Sequence, residues 1–240
     1  MHPVLFKLGL VQIYSYGAMM AVAFLVFAYF ASRRAGALGM NGEEIINLSI
    51  YLIISGLIGS RILFILLNLD YYRQNHFEIF MVWKGGLVWY GGFISALAAS
   101  LIYMRAKRMP VIRTLDLLMP YLALGQSMGR IGCFLNGCCY GKSASLHMGV
   151  VFNETQGPVY PTQLYESAAM FVVFLILRKR VPGDGRTLLL YLVLYSSFRF
   201  FVEFLRGDNP SVMMGLTISQ LISIAVFISA VILWKSAPSK

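Results

Sequence analysis

LDLLMPYLALGQSMGRIGCFLNGCCYG, residues Leu115–Gly141, decides the fold. From Leu115 to Leu135 it is apolar and long enough to cross about 30 Å of hydrocarbon as a helix rising about 1.5 Å per residue. It nevertheless carries Arg130 near its end and crowds Cys133, Cys138 and Cys139 around that arginine. Windows of the same kind recur at Ile13 to Phe30, Ile45 to Leu67, Leu87 to Met104, Leu164 to Leu177 with its flanks, Leu188 to Leu205, and Met213 to Trp234. With 58% hydrophobic residues, 12% charged and a mean hydropathy of +0.71, the composition excludes a globule with a water-facing surface. The reading is an all-α integral membrane protein with seven transmembrane helices.

The charge pattern orients it. A net charge of +10 would suggest nucleic acid in a soluble protein, but here the basic residues fall in short connections between apolar windows. Arg33 and Arg34, then Arg105, Lys107, Arg108 and Arg113, then Arg178, Lys179, Arg180 and Arg186, then Lys235 and Lys240 supply twelve of the 20 basic residues, all on one side if the spans alternate. Cytoplasmic loops collect such charge, so the N-terminus is expected outside and the C-terminus, with its SAPSK tail, in the cytoplasm. The segments near Tyr71 to Lys84, Gly137 to Gln163 and Gly207 to Met213 go to the other face. The first apolar stretch is of spanning length and lacks a basic leader or cleavage site, so it reads as span one rather than a removable signal.

No internal repeat or low-complexity tract appears, and a single domain over residues 1–240 is expected. Its longest polar excursion, Lys142 to Gln163, gives a small extracytoplasmic loop or lid at about 137–163. Asp116, just after Thr114, suits a helix start, where a short acceptor meets unpaired N–H groups. The three cysteines would lie near the outer face, and an odd count cannot pair fully within one chain.

An arginine inside an apolar span costs about 2.5–3.5 kcal/mol on insertion scales, so it should face a polar cavity, a carboxylate or a lipid headgroup. Arg61, Arg130, Arg199 and Arg206 are in this position. Glu203 stands four residues after Arg199 and three before Arg206, within helical reach of both. For Arg61 and Arg199 an internal packing role and a functional one both stay open. Arg130 has no carboxylate among its sequence neighbours, and its glycines admit a ligand to the backbone. Its planar fork of donors suits a phosphate, and the anionic oxygens of a phospholipid are the abundant partner at that depth.

Rival patterns carry less. GQSMG, Gly125 to Gly129, matches G-x-S-x-G, but a nucleophile elbow needs a strand and a sharp turn, so Gly125 and Gly129 read as a small-residue packing face. His2, His76 and His147 are scattered, and Cys133-x4-Cys138-Cys139 is read as lacking zinc-ligand spacing, so no metal is expected. The glycine pairs of KGGLVWYGGF, Lys84 to Phe93, would let the third span pack closely while holding Trp89 and Tyr90 at the outer interface.

These motifs together resemble the prolipoprotein diacylglyceryl transferase family over nearly the whole chain. GRIGCFLNGCCYG looks like its signature, with Arg130, Asn136 and Gly141 at recurring positions. Asp116, Pro120, Gly125 and Gly129 keep the spacing of the same helix. YSYGAMM supplies Tyr16 and Gly17, GSRILFIL supplies Arg61, YPTQLYES supplies Gln163, Tyr165 and Glu166, and FRFFVEFLR supplies Arg199, Glu203 and Arg206. The resemblance implies a bacterial inner-membrane enzyme with its site toward the outer leaflet. It would transfer a diacylglyceryl group from phosphatidylglycerol to the lipobox cysteine thiol of a prolipoprotein, forming a thioether and releasing glycerol phosphate. Nucleic acid is not a partner in that reading, and no cofactor or metal is required. Arg130, Arg206 and Tyr90 are then the catalytic candidates, and Tyr16, Asn136, Gly141, Gln163, Tyr165, Glu166, Arg199 and Glu203 the substrate-binding ones. The sequence departs from the family pattern at three points: Tyr90 stands where many members have histidine, Cys133 for the first asparagine of the signature, and Cys138 for a glutamate. A phenol of pKa about 10 hydrogen-bonds readily but is a weak base at neutral pH. The departures leave two alternatives: a related phospholipid-dependent transferase with another acceptor, and a phospholipid-binding membrane protein without catalysis.

Overall fold

The computed structural model describes residues 3–8, 11–82, 85–153 and 155–236. Lys84 and the tail beyond Ser236, both used in the topology reading, lie outside these residues. A hairpin of β1 (Val4–Leu8) and β2 (Val11–Tyr14) leads into α1 (Ser15–Ala37), followed by α2 (Gly42–Leu67), the short α3 (Leu69–Gln74) and a 3-10 turn at His76–Phe80. Then come α4 (Trp89–Ala106), α5 (Val111–Asn136), α6 (Thr162–Leu177), α7 (Arg186–Val202) and a 3-10 turn at Glu203–Leu205. A second hairpin, β3 (Ser211–Met213) and β4 (Leu216–Thr217), precedes α8 (Ile218–Ser236). The two hairpins correct the all-α expectation in a minor way, since strands this short carry little periodicity for a sequence reading to find.

Each apolar window falls largely on one of the longer helices, although Met213 to Thr217 of the last one belong to the second hairpin. Four of these helices, Ser15–Ala37, Gly42–Leu67, Arg186–Leu205 and Ile218–Ser236, are long and apolar enough to cross a membrane. The fold is mostly helical and belongs in a bilayer. Its burial pattern is inverted relative to a soluble protein: Leu25, Ile50, Ile54, Ile58, Ile62, Phe201 and Ile232 are exposed, whereas Ser15, Ser49, Thr114, Asp116, Gln163, Glu166 and Glu203 are buried. Polar groups that would be costly against hydrocarbon are thus turned inward, where most find partners; Thr114 Oγ1 and Gln163 Oε1 are buried without a hydrogen bond.

The chain forms two compact units, one of residues 1–31 and 112–240, the other of residues 32–111. In the second unit α2 packs on α4 at Gly59 and Gly91, where a Cβ on Gly91 would come within 2.4 Å of the Gly59 carbonyl oxygen. Of the glycine pairs read as close-packing residues, Gly91 and Gly92 do that work, as small residues at helix contacts commonly do, whereas Gly85 and Gly86 precede α4 and Gly85 has open space beside it. Asn41 caps α2, its side chain accepting from the Glu43 and Glu44 N–H groups at 2.9 and 3.4 Å. Arg61 is buried, donating to the carbonyls of Ile79 (3.0 Å), Gly85 (2.7 Å), Gly86 (3.2 Å) and Glu78, with its guanidinium between the Phe64 and Tyr72 rings. Of the two readings open for Arg61, this is the internal one: it ties the segment after α3 back onto α2.

In the first unit, α5 turns Gly125, Gly129 and Gly132 toward α1, their nearest neighbours being Ala23, Met20 and Met19. That is the packing face read in place of a nucleophile elbow, and Ser127 of the same stretch pairs with Ser167 on α6 at 3.1 Å. Asp116 is a correction. α5 starts at Val111, and the Asp116 carboxylate accepts instead from Gly183 N (2.9 Å), Gly185 N (2.8 Å) and Leu188 N (2.9 Å) at the start of α7. The capping chemistry was read correctly and assigned to the wrong helix.

Candidate active site

Where α5 ends, its chain reverses. Gly137, with φ of +78°, sits just past the helix, and the bonds Cys138 N to Cys133 O and Gly137 N to Phe134 O, both 3.1 Å, form a Schellman turn. A residue with a side chain resists this left-handed conformation, which is why glycine belongs here. The turn swings Cys138 and Cys139 back over the last turn of α5. α6 then fixes the returning strand: Gln163 Nε2 donates to Cys138 O at 2.6 Å and Thr162 Oγ1 to Cys139 O at 2.9 Å. Gly141 pairs through its backbone with Tyr160 and bridges to Arg206.

Around this turn three guanidiniums meet one carboxylate. Glu166, buried on α6, takes Arg130 Nη2 of α5 at 2.7 Å, Arg206 Nη1 at 3.2 Å and Arg199 Nη1 of α7 at 3.7 Å. A second buried acid, Glu203, pairs with Arg199 at 2.8 Å and lies 4.0 Å from Arg206, and it accepts from Asn209 at 2.7 Å and Thr217 Oγ1 at 2.8 Å. The Asp208 carboxylate, 46% exposed, accepts from both Nε and Nη2 of Arg206. Burial works against the charge on Arg206, but the Asp208 and Glu166 carboxylates outweigh it and hold that guanidinium above the ordinary arginine range.

Arg130 therefore does have an acid partner, contrary to the sequence reading. Its sequence neighbours offer none, but Glu166 arrives from another helix. The partner does not cancel the site, because Glu166 and Glu203 stand against three guanidiniums and the Arg130 side chain remains 26% exposed. A positive excess remains deep in the unit and, among the described residues, is closed by the half-exposed Asp208.

The other expected site residues divide. Tyr16 lies against α5, its ring 3.5 Å from where a Gly132 Cβ would be. Asn136 is the last residue of α5, two before Cys138. Gln163, Gly141, Glu166, Arg199, Glu203 and Arg206 all belong to the cluster just described. Tyr165 is half-buried on α6 one residue from Glu166. Tyr90 is half-exposed at the start of α4, in the other unit. Thr162, Asp208, Asn209 and Thr217 were missed; only Asp208, two residues from Arg206, gave any spacing signal.

The Cys139 thiol is held below its ordinary range, first by the Cys133 and Cys138 thiols donating to it, then by the charges of Arg206 and Arg130, against the effect of burial. All three cysteines are free.

Residues 3–235 match the family model described as prolipoprotein diacylglyceryl transferase. The chain is similar to a phosphatidylglycerol–prolipoprotein diacylglyceryl transferase of Clostridium tetani, 38% identical with 95% of this chain and 94% of that protein covered. It is 35% identical to the enzyme so named from Clostridioides difficile, over 97% of this chain and 94% of that one. The protein of that name from Staphylococcus aureus is 32% identical, over 95% and 86%. A match of this extent, carried through the turn where Arg130 meets Glu166, places the chain in the prolipoprotein diacylglyceryl transferase family.

Proposed function

We propose that this protein transfers the diacylglyceryl group of phosphatidylglycerol to the lipobox cysteine thiol of prolipoproteins, making a thioether and releasing glycerol phosphate. The observation that carries this reading is the convergence of Arg130, Arg199 and Arg206 on one buried carboxylate at the end of α5. When the thiolate displaces phosphate from the glyceryl carbon, the C–O bond breaks, the C–S bond forms and negative charge gathers on the departing phosphate oxygens. Fixed donors aimed at those oxygens stabilise the transition state more than the ground state. Arg130 and Arg206 fill that role. Glu166 holds them in place beforehand, so that they need not reorganise during the reaction.

The Asp208 carboxylate takes the same two-nitrogen fork of Arg206 that a phosphate would take. Headgroup binding exchanges one anion for another there. Tyr16, Asn136, Gln163 and Tyr165 serve substrate binding beside this cluster, the buried Gln163 by holding the Cys138 carbonyl, with Gly141 giving the backbone close to Arg206. The enzyme sits in the bacterial inner membrane as a single domain of seven spans, N-terminus outside, with residues 137–163 as a lid over a site open to the outer leaflet. The basic residues between the spans support that orientation.

The test is incubation of purified protein with phosphatidylglycerol and a lipobox peptide, followed by mass spectrometry. A gain of one diacylglyceryl unit on the cysteine is expected. Bound lipid with an unmodified peptide would replace this reading by one of lipid binding alone.

A further inference from the structure

The transfer reaction leaves the three cysteines unused, although the fold gathers them with some care. Cys133 lies on the last turn of α5, and the Schellman turn returns Cys138 and Cys139 to it, so the three Sγ atoms all lie within 4.8 Å of one another. None is in a disulfide. The carbonyls of Cys138 and Cys139 are pinned by Gln163 and Thr162 at 2.6 and 2.9 Å, and Cys139 is held at φ of +63°. A non-glycine residue in that left-handed region is strained, and strain of this kind persists where the surroundings over-determine the backbone.

We propose that Cys133, Cys138 and Cys139 form a three-thiolate site for a thiophilic d10 cation of the Zn2+ or Cu+ type. Three sulfurs each about 2.3 Å from one ion lie about 3.8–4.0 Å from each other, so small rotations of the side chains close the observed cluster onto a metal. The backbone need not move. The all-sulfur donor set selects soft ions over Mg2+ and Ca2+. No histidine or carboxylate joins the group among the described residues, so the ion is three-coordinate or takes water as its fourth ligand. On binding, three metal–sulfur bonds form, each sulfur that still carries a proton gives it up to solvent, and no oxidation state changes. A divalent ion with three thiolates carries one net negative charge, and Arg130 stands one helical turn before Cys133 on α5. The ligand spacing that argued against a metal in the linear sequence is overridden by the turn at Gly137. The bound ion would brace the returning strand against the end of α5.

The experiment titrates Cd2+, a spectroscopic stand-in for Zn2+, into the reduced full-length protein in detergent. The sulfur-to-cadmium charge-transfer absorption should saturate at one ion per chain. Affinity should fall at least about tenfold in each of Cys133→Ser, Cys138→Ser and Cys139→Ser, as expected when one of three ligands is lost. Because a serine variant can fail to fold, a second readout uses the unaltered protein: one equivalent of Zn2+, but not Mg2+, should slow maleimide alkylation of all three thiols. Absence of the absorption band, equal binding by all three variants as from an adventitious ion only, or alkylation rates indifferent to Zn2+ would each overturn the site. Neither readout involves diacylglyceryl transfer, so the metal site and the proposed activity stand or fall separately.

Discussion

Arg130 and Glu166 are bound to each other at 2.7 Å, and removing either has a different consequence. Arg130→Ala takes away a donor to the departing phosphate while Glu166 keeps Arg199 and Arg206. Transfer should fall by about 10²–10³-fold, the usual effect of deleting one oxyanion donor, with thermal unfolding little changed. Single-turnover assays beside a melting curve check both halves. Arg130→Lys should not restore the rate, since an ammonium lacks the planar fork. Glu166→Gln instead leaves three guanidiniums short of one buried counter-charge and should cost about 3–5 kcal/mol of stability, read from detergent unfolding. Replacing Cys133 and Cys138 together by serine should spare most of the transfer activity, because neither thiol touches the arginine cluster's hydrogen bonds; complete loss in a folded variant would show that the thiols take part in the reaction. The charged residues of this site were legible, since an arginine in an apolar window has to be accounted for. The shared partner was not. Spacing pointed to Glu203 for Arg199 and Arg206, whereas Glu166 lies on a different helix and becomes their common acceptor only through tertiary packing.

At the scale of elements the same limit appears at Asp116. Its short carboxylate was recognisable as a capping group, but only the fold shows three N–H groups of the α7 start converging on it. Asp116→Ala should destabilise the first turn of α7 by about 1–3 kcal/mol, the cost of leaving buried donors unmet. Hydrogen exchange at Gly185 and Leu188 is the local measurement, with faster exchange confined to that turn as the expected outcome. The helices themselves were found by apolar length; most begin and end within three or four residues of their windows, but α1 runs seven residues past Phe30 and α8 starts five after Met213. α5 and α6 were the harder cases: α5 carries Arg113, Asp116, Pro120 and Arg130, and α6 has only 16 residues. The hairpins at Val4–Tyr14 and Ser211–Thr217 left no trace in the pattern, although the second supplies Thr217 to Glu203.

For the whole molecule, the sequence conveyed the solvent before it conveyed the shape. Composition and hydropathy required a bilayer, and the exposed isoleucines and leucines of α1, α2 and α8 agree with it. Orientation rests on the basic connections, and it has its own check. A fluorescent protein that matures only in the cytoplasm, fused after Lys240, should glow, and an exported phosphatase fused there should be inactive. The opposite result would invert the molecule and put the arginine cluster at the wrong leaflet for the proposed acceptor. What the linear pattern could not supply was the meeting of α5, α6 and α7, because inward-facing polar residues are too few per helix to fix which helices become neighbours.

The carboxylate that finishes the start of α7 is borne by a segment synthesised well before it. α7 begins at Arg186, whose own N–H is met locally by Asp184 Oδ1 at 3.1 Å; on the ribosome the receptor for the amides of Gly183, Gly185 and Leu188 is already in place when they emerge. Reordering the gene so that this helix is translated ahead of its latch would leave those amides waiting, and slower or leakier insertion of that helix alone would be the sign of it.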